Sequence, residues 1–218
     1  MNAALTAVCA LVLALLVGGI GLLARRFAWE PELARKVSHV AVGLACLALP
    51  FVFAGVAPVL ALAAVACAGL LALRAVPVLR AGLGCALHGV ARRSLGEFAF
   101  VGGATLAFAL AHDHFPAYAA AILTLALGDA AAALVGRRFG RHPYVVGNAR
   151  KSFEGSAAFF AVAALVCALI PGAVSIAAVA AFALVTTLAE ALAGDGFDNV
   201  AIPLAGLLAL RLFPGVSA

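Results

Sequence analysis

The stretch AYAAAILTLALGDAAAALVGRRFG, residues 117–140, decides both the solvent and the chemistry of this chain. Residues 117–136 form an apolar run of the length that a helix needs to cross a bilayer, about 20 residues. Arg137-Arg138 closes the run. Inside it sits one carboxylate, Asp129, about two helical turns or roughly 10 Å from the charged end. A carboxylate at that depth is costly unless a cation or a metal stands beside it. Asp129, Ala132, Gly136 and Gly140 follow one another at i, i+3, i+7 and i+11, which places the acid above a narrow stripe of small residues on one helix face. The stripe allows two readings: packing alone, or a site that brings backbone close to a ligand.

The rest of the chain extends the first conclusion. Of 218 residues, 67% are hydrophobic and 11% charged, and mean hydropathy is +1.20. Soluble domains are about 45–50% apolar and about 25% charged. This composition excludes a soluble enzyme, a secreted domain and a disordered chain. It predicts an all-α, polytopic integral membrane protein forming a single transmembrane domain over 1–218. Eight apolar runs read as transmembrane helices: 3–24, 37–54, 56–73, 95–111, 117–136, 155–170, 174–192 and 199–213. Residues 1–24 lack the basic start and short core of a signal peptide, so a first spanning helix is expected there. None of the five cysteines is spaced as a redox or metal motif, and they read as small apolar residues.

Charge placement predicts orientation. Thirteen of the fourteen Lys and Arg residues lie in or beside segments 25–36, 74–94, 137–154 and 193–198. The connections at 50–55, 112–116 and 171–172 carry none. Basic loops stay cytoplasmic, which places both termini on the non-cytoplasmic side of a bacterial-type inner or plasma membrane. Eight of nine acidic residues share the cytoplasmic side, Asp113 being the exception. A single polar layer at one face suits a water-soluble reactant meeting a lipid-soluble one. Active-site segments are expected at 25–39, 93–97, 129–155 and 190–203. Residues 76–93, with Arg80, His88, Arg92 and Arg93, read as an interfacial amphipathic helix.

The loop after residue 136 ends in Arg150-Lys151-Ser152-Phe153-Glu154-Gly155. Lysine and arginine are phosphate ligands. Ser152 is placed to cap the next helix, whose N-terminus adds N–H donors. Lys151 and Glu154, three apart, would share a helix face. Together with Asp129 these are the parts of a magnesium–polyphosphate site. Arg35, Lys36 and His39 converge on one face near the start of the second run. Glu190 stands near a helix C-terminus, where the dipole disfavours it, so it requires a cation, a metal or a hydroxyl. Asp198-Asn199 is either a helix start or a magnesium pair.

These residues resemble a family. Asp-x-x-Ala-x-x-x-Gly-x-x-x-Gly followed by Lys-Ser-x-Glu-Gly, carried here by Asp129, Ala132, Gly136, Gly140, Lys151, Ser152, Glu154 and Gly155, is similar to the CTP-binding signature of the dolichol, phytol and CTP-dependent diacylglycerol kinases. Arg35-Lys36-x-x-His39, Gly96-Glu97, and Glu190 with Asp198-Asn199…Pro203 resemble that family's outer motifs. The likeness spans about residues 35–203. It implies transfer of the γ-phosphoryl group of CTP to a membrane-embedded alcohol such as phytol, farnesol, geranylgeraniol or a polyprenol, with Mg2+ and no nucleic-acid partner. The implied catalytic residues are Asp129, Lys151, Glu190 and His39. Nucleotide contacts would come from Arg35, Lys36, Gly136, Gly140, Lys151, Ser152, Glu154, Gly155 and Asn199, and metal ligands from Asp129, Glu154 and Asp198. Phosphatidate cytidylyltransferases share the central motif, but this chain has no Lys after Lys151 and no His after His142, which their closing signature needs. A small transporter or lipid-binding protein is the non-enzymatic alternative.

Overall fold

A computed structural model describes residues 2–76, 95–170 and 175–213. The interfacial helix expected at 76–93 and the start of the 93–97 segment lie outside the described residues. The architecture is helical, and each of the eight apolar runs falls on a helical rod. The rods are α1 (Asn2–Arg26), α2 (Pro31–Cys46) with the short α3 (Leu49–Val52), α4 (Val56–Ala75), α5 (Gly96–Ala111), α6 (Phe115–Leu123) joined to α7 (Asp129–Phe139), α8 (Phe153–Leu169), α9 (Ile176–Leu192) and α10 (Asp198–Leu212). Four of them, Ala3–Arg26, Pro31–Val52, Val56–Ala75 and Phe115–Phe139, are long and apolar enough to cross a membrane.

Local chemistry sets the ends. Pro31 opens α2 in the first turn, where its missing N–H costs nothing. Ser152 caps α8 by accepting from Gly155 N at 3.1 Å, as its position predicts. Arg25 and Arg26 close α1, favourably placed against the helix dipole.

The Phe115–Phe139 rod is the centre of the molecule. Tyr118, Ile122, Leu125 and Ala126 on it are fully buried. The remaining rods pack in the order α8, α9, α10, α5, α4, α1, α2, and both α2 and α8 pack on the central rod, which closes the ring. Outside the ring the order of hydrophobicity is reversed. Leu11, Leu15, Phe51, Leu71 and Leu169 are all more than half exposed, which suits a hydrocarbon solvent rather than water.

Two features depart from an unbroken helical reading. The central rod changes winding at Thr124–Gly128, a π turn immediately before Asp129. Such turns occur inside helices, often at functional sites, and loosen the carbonyl ladder; here Leu125 O meets His39 Nε2 at 3.2 Å. The second is an antiparallel hairpin, β1 (Pro143–Val146) and β2 (Ala149–Ser152), with Pro143 opposite Ser152. Gly147 takes the positive φ of 57° at its two-residue turn, which glycine supplies without steric cost.

Candidate functional site

Two lysines anchor the polar end of the bundle. Lys36, on the second turn of α2, reaches 93 residues along the chain to Asp129, its Nζ donating to Oδ2 at 2.6 Å. Both residues are buried. His39, one turn further along α2, brings Nε2 to 3.3 Å from the same oxygen, and its ring lies edge-on to Phe100. The costly carboxylate predicted from residues 117–140 thus has a cation beside it.

Lys151 anchors the second cluster. Its Nζ donates to Glu190 Oε1 at 2.6 Å and to the Glu190 carbonyl, and lies 3.5 Å from Asp198 Oδ2. This explains Glu190 near the end of α9, where the dipole disfavours it. Asp198 occupies the first turn of α10, with its Oδ1 accepting from Asn199 N at 3.1 Å. Asp129 of the first cluster and Asp198 of the second line the same cavity.

Both clusters open on one cavity of about 510 Å³, within the range of small-molecule sites. Among the described residues five basic side chains line it, Arg35, Lys36, Arg137, Arg150 and Lys151, with six acidic ones, Glu32, Glu97, Asp129, Glu190, Asp195 and Asp198. The carboxylate donors are hard oxygens, the type magnesium prefers, and magnesium commonly takes one or two carboxylates and shares the rest of its shell with phosphates and water. The carboxylates present therefore fit a hard cation that keeps part of its shell for other oxygen ligands. They do not form a closed cage, since among the described residues no three His, Cys, Asp or Glu side chains converge as a metal site.

Glu154 stands apart from this arrangement. It was expected to share a helix face with Lys151 and to ligate metal with Asp129. Residues 149–152 are instead extended, so Lys151 leaves β2 toward Glu190. Glu154, in the first turn of α8, turns to His142, whose Nδ1 lies 2.7 Å from Oε1 and whose backbone N–H donates to Oε2 at 3.3 Å. These hydrogen bonds, the His142 side chain first, hold the Glu154 carboxyl at about 2. Glu154 does not line the cavity, and it fastens the hairpin.

The small-residue stripe serves packing as well as access. A side chain at Gly155 would meet Ala132 O at 2.7 Å and Gly136 Cα at 3.3 Å. One at Gly136 or at Gly140 would meet Ser152 Oγ at 2.9 Å. The glycines let α8 and the hairpin lie directly against α7, and they line the polar cavity at the same time. Arg35 is also already engaged, in a two-pronged bridge to Glu32 with its shorter contact at 2.6 Å.

A second cavity, of about 420 Å³, lies between α1, α2, α4 and α5. Among the described residues its wall is mostly apolar and includes Leu13, Val42, Leu62, Leu70 and Phe100. Arg35, Gly96, Glu97 and Asn199 line both cavities. His39 faces the apolar one. Glu97 is therefore the carboxylate at the junction, held by Arg74 at 2.6 Å. Reading the chain residue by residue ranked Glu190 above Glu97 because Glu97 sits comfortably at a helix N-terminus. Its place in a shared wall has no signature along the chain.

No family model matches this chain, and neither a curated protein nor a solved structure does.

Proposed function

We propose that this protein is a CTP-dependent lipid-alcohol kinase, crossing a bacterial-type inner or plasma membrane eight times with both termini on the non-cytoplasmic side. The observation that carries this reading is the shared wall. A charged cavity able to take a magnesium-bound polyphosphate abuts an apolar cavity of lipid character, and Arg35, Gly96, Glu97 and Asn199 belong to both. That is the arrangement required to bring a water-soluble phosphoryl donor to a lipid-soluble acceptor. The choice of CTP follows the motif likeness of residues 129–155.

In the resting arrangement each lysine neutralises carboxylates: Lys36 on Asp129, and Lys151 on Glu190 and Asp198. Nucleotide entry exchanges partners. Lys151 swings to the phosphate oxygens, where Arg35 and Arg150 add positive charge from the cavity wall. Magnesium, held by Asp129 and Asp198, would supply the charge neutralisation that phosphoryl transfer requires. The lipid hydroxyl meets the γ-phosphorus at the junction. A new bond forms from the lipid oxygen to phosphorus as the bond to the β,γ-bridging oxygen breaks, and CDP leaves with that oxygen. Glu97, the carboxylate common to both cavities, accepts the hydroxyl proton. Positioning and electrostatics do most of the work in such reactions.

The experiment is a label transfer. Purified protein receives CTP labelled at the γ- or the α-phosphate, with magnesium, a panel of lipid alcohols and phosphatidic acid. The expected result is lipid labelled from the γ-position alone. Label from the α-position on phosphatidic acid identifies cytidylyl transfer instead. Failure of both transfers overturns the enzymatic reading and leaves a transporter or lipid-binding protein.

A further inference from the structure

The apolar cavity has a direction, a length and a width. Its polar end is the wall shared with the charged cavity, with Arg35 near the start of α2 and Gly96 and Glu97 at the start of α5. The end of α4 meets that wall, where Arg74 holds Glu97. Its far end is lined by Cys46, the last residue of α2, by Leu49 of α3 and by Val59 near the start of α4. The cavity therefore runs along the rods. On α4 its lining extends from Leu73 to Val59, fourteen residues apart and so about 21 Å of helix. Spread over that length, about 420 Å³ leaves a mean section of about 20 Å², the area that one hydrocarbon chain occupies at the roughly 4.5 Å spacing of apolar groups in contact.

Packing closes the far end. Cys46, Leu49, Val59 and Leu62 are buried, and they belong to the main core together with Phe53. Tyr118 OH donates to Cys46 O at 2.7 Å, which ties that end of α2 to the central rod. Small residues keep the middle open. Ala63, Ala66 and Gly69 follow one another on the lining face of α4, and a Cβ added at Gly69 would meet nothing within 4 Å. An extended chain advances about 1.2 Å per bond, so a path of about 21 Å holds about 17 bonds.

We infer that the apolar cavity is a slot for one hydrocarbon chain of about 16 bonds, the size of four isoprene units or of a hexadecyl chain. The chain lies along the bundle, with its polar head at Arg35 and Glu97 and its tip against Leu49 and Val59. A lipid with two chains exceeds the section of the slot. The slot rests on reading this cavity as the seat of the lipid, and it adds to that reading the number, length and direction of the chain. Leu49 and Val59 set the length, and Ala63 and Ala66 leave the path clear. These four residues determine specificity and take no part in the chemistry.

The test is photolabelling of the full chain in micelles, without nucleotide, by primary alcohols that carry a diazirine on the last carbon of the chain. Two isoprene units reach about 10 Å, the level of Val42 and Ala66, which stand seven residues from Arg35 and Leu73 respectively. The two-unit probe should therefore label Val42 or Ala66. The four-unit or the hexadecyl probe should label Cys46, Leu49, Val59 or Leu62, and far-end labelling by either supports the slot and shows which type of chain it takes. Unlabelled geranylgeraniol or hexadecanol should displace the matching long probe, and dioleoylglycerol at the same concentration should not. Ala66→Phe puts a ring half-way along the path and should abolish far-end labelling. The pattern in the parent protein decides the matter alone should that variant fail to fold. Four outcomes overturn the slot: label only on outward residues such as Leu11, Leu15 and Leu71, the same labelled residues for short and long probes, displacement by dioleoylglycerol as strong as by the single-chain alcohol, or unchanged far-end labelling in folded Ala66→Phe. Because no nucleotide is used, the two readings separate. Phosphoryl transfer that fails while length-dependent labelling persists removes the kinase and keeps the slot; transfer without such labelling removes the slot and keeps the kinase.

Discussion

Replacing Lys36 with Met should destabilise the protein by about 3 kcal/mol, and the number can be worked from the site. The Lys36 ammonium is 2.6 Å from Asp129 Oδ2, with side-chain exposures of 3% and 10%. At an effective dielectric of about 20, a pair at that distance attracts by about 6 kcal/mol. Desolvation of both charges opposes this gain, so the pair's net worth is smaller. Removing one partner is another matter, because it strands the other charge, at a typical cost of about 3–5 kcal/mol. His39, 3.3 Å from the same oxygen, recovers part of that and places the expectation at the low end. About 3 kcal/mol corresponds to roughly a hundredfold rise in the unfolding constant. The assay is unfolding in mixed micelles titrated with sodium dodecyl sulfate, followed by fluorescence of Trp29, the one tryptophan in the chain, which packs beside Ala24 and Ala34. The pair Lys36→Met with Asp129→Leu removes both charges and should return to within about 1 kcal/mol of the parent. A single substitution costing under about 1 kcal/mol would refute the reasoning, as would a double variant as unstable as the sum of the two singles.

Three further outcomes are expected. Lys151→Met should weaken magnesium–CTP binding by about 10–100-fold, the worth of a charge-assisted hydrogen bond, as read by calorimetry. Gly155→Ala should cost about 1–3 kcal/mol by overpacking, since the new methyl meets Ala132 O at 2.7 Å; thermal unfolding against the parent checks it. Glu154 should titrate near 2 and return toward the ordinary 4.5 in His142→Ala, measured from its carboxyl carbon resonance. Because the folded value is the lower one, the contribution of Glu154 to the hairpin is complete above about 4.5 and is lost as pH falls toward 2. Amide exchange at Phe153, bonded to His142 O at 3.1 Å, should accelerate over that window relative to the His142→Ala variant.

Several site residues were legible along the chain for a definite reason. Asp129 announces itself because a lone carboxylate in a twenty-residue apolar run demands a partner. Glu190 does so because it opposes a helix dipole. Ser152 does so because serine is a favoured N-cap residue and it stands just before an apolar run. The hairpin was missed although a signal existed: Gly147-Asn148 separates two short runs, and that pattern favours a two-residue turn. Reading 149–152 as extended would have sent Lys151 and Glu154 in different directions and removed Glu154 from the metal set. Glu97 had no comparable signal, because it is ordinary for a helix start.

The sequence by itself determined that helices long and apolar enough to cross a membrane are present, where the helices lie and where charge gathers between them. These follow from run length and periodicity, which depend only on near neighbours along the chain. The tertiary structure alone decided that Lys36 meets Asp129 across 93 residues, that Lys151 meets Glu190 across 39, and that a π turn precedes Asp129. It alone set a charged cavity against an apolar one with Glu97 and Asn199 in the common wall. A helix pattern specifies which face is buried, but not which helix covers it. Partner choice depends on how all the rods pack around the Phe115–Phe139 core, and no local stretch of the chain encodes that.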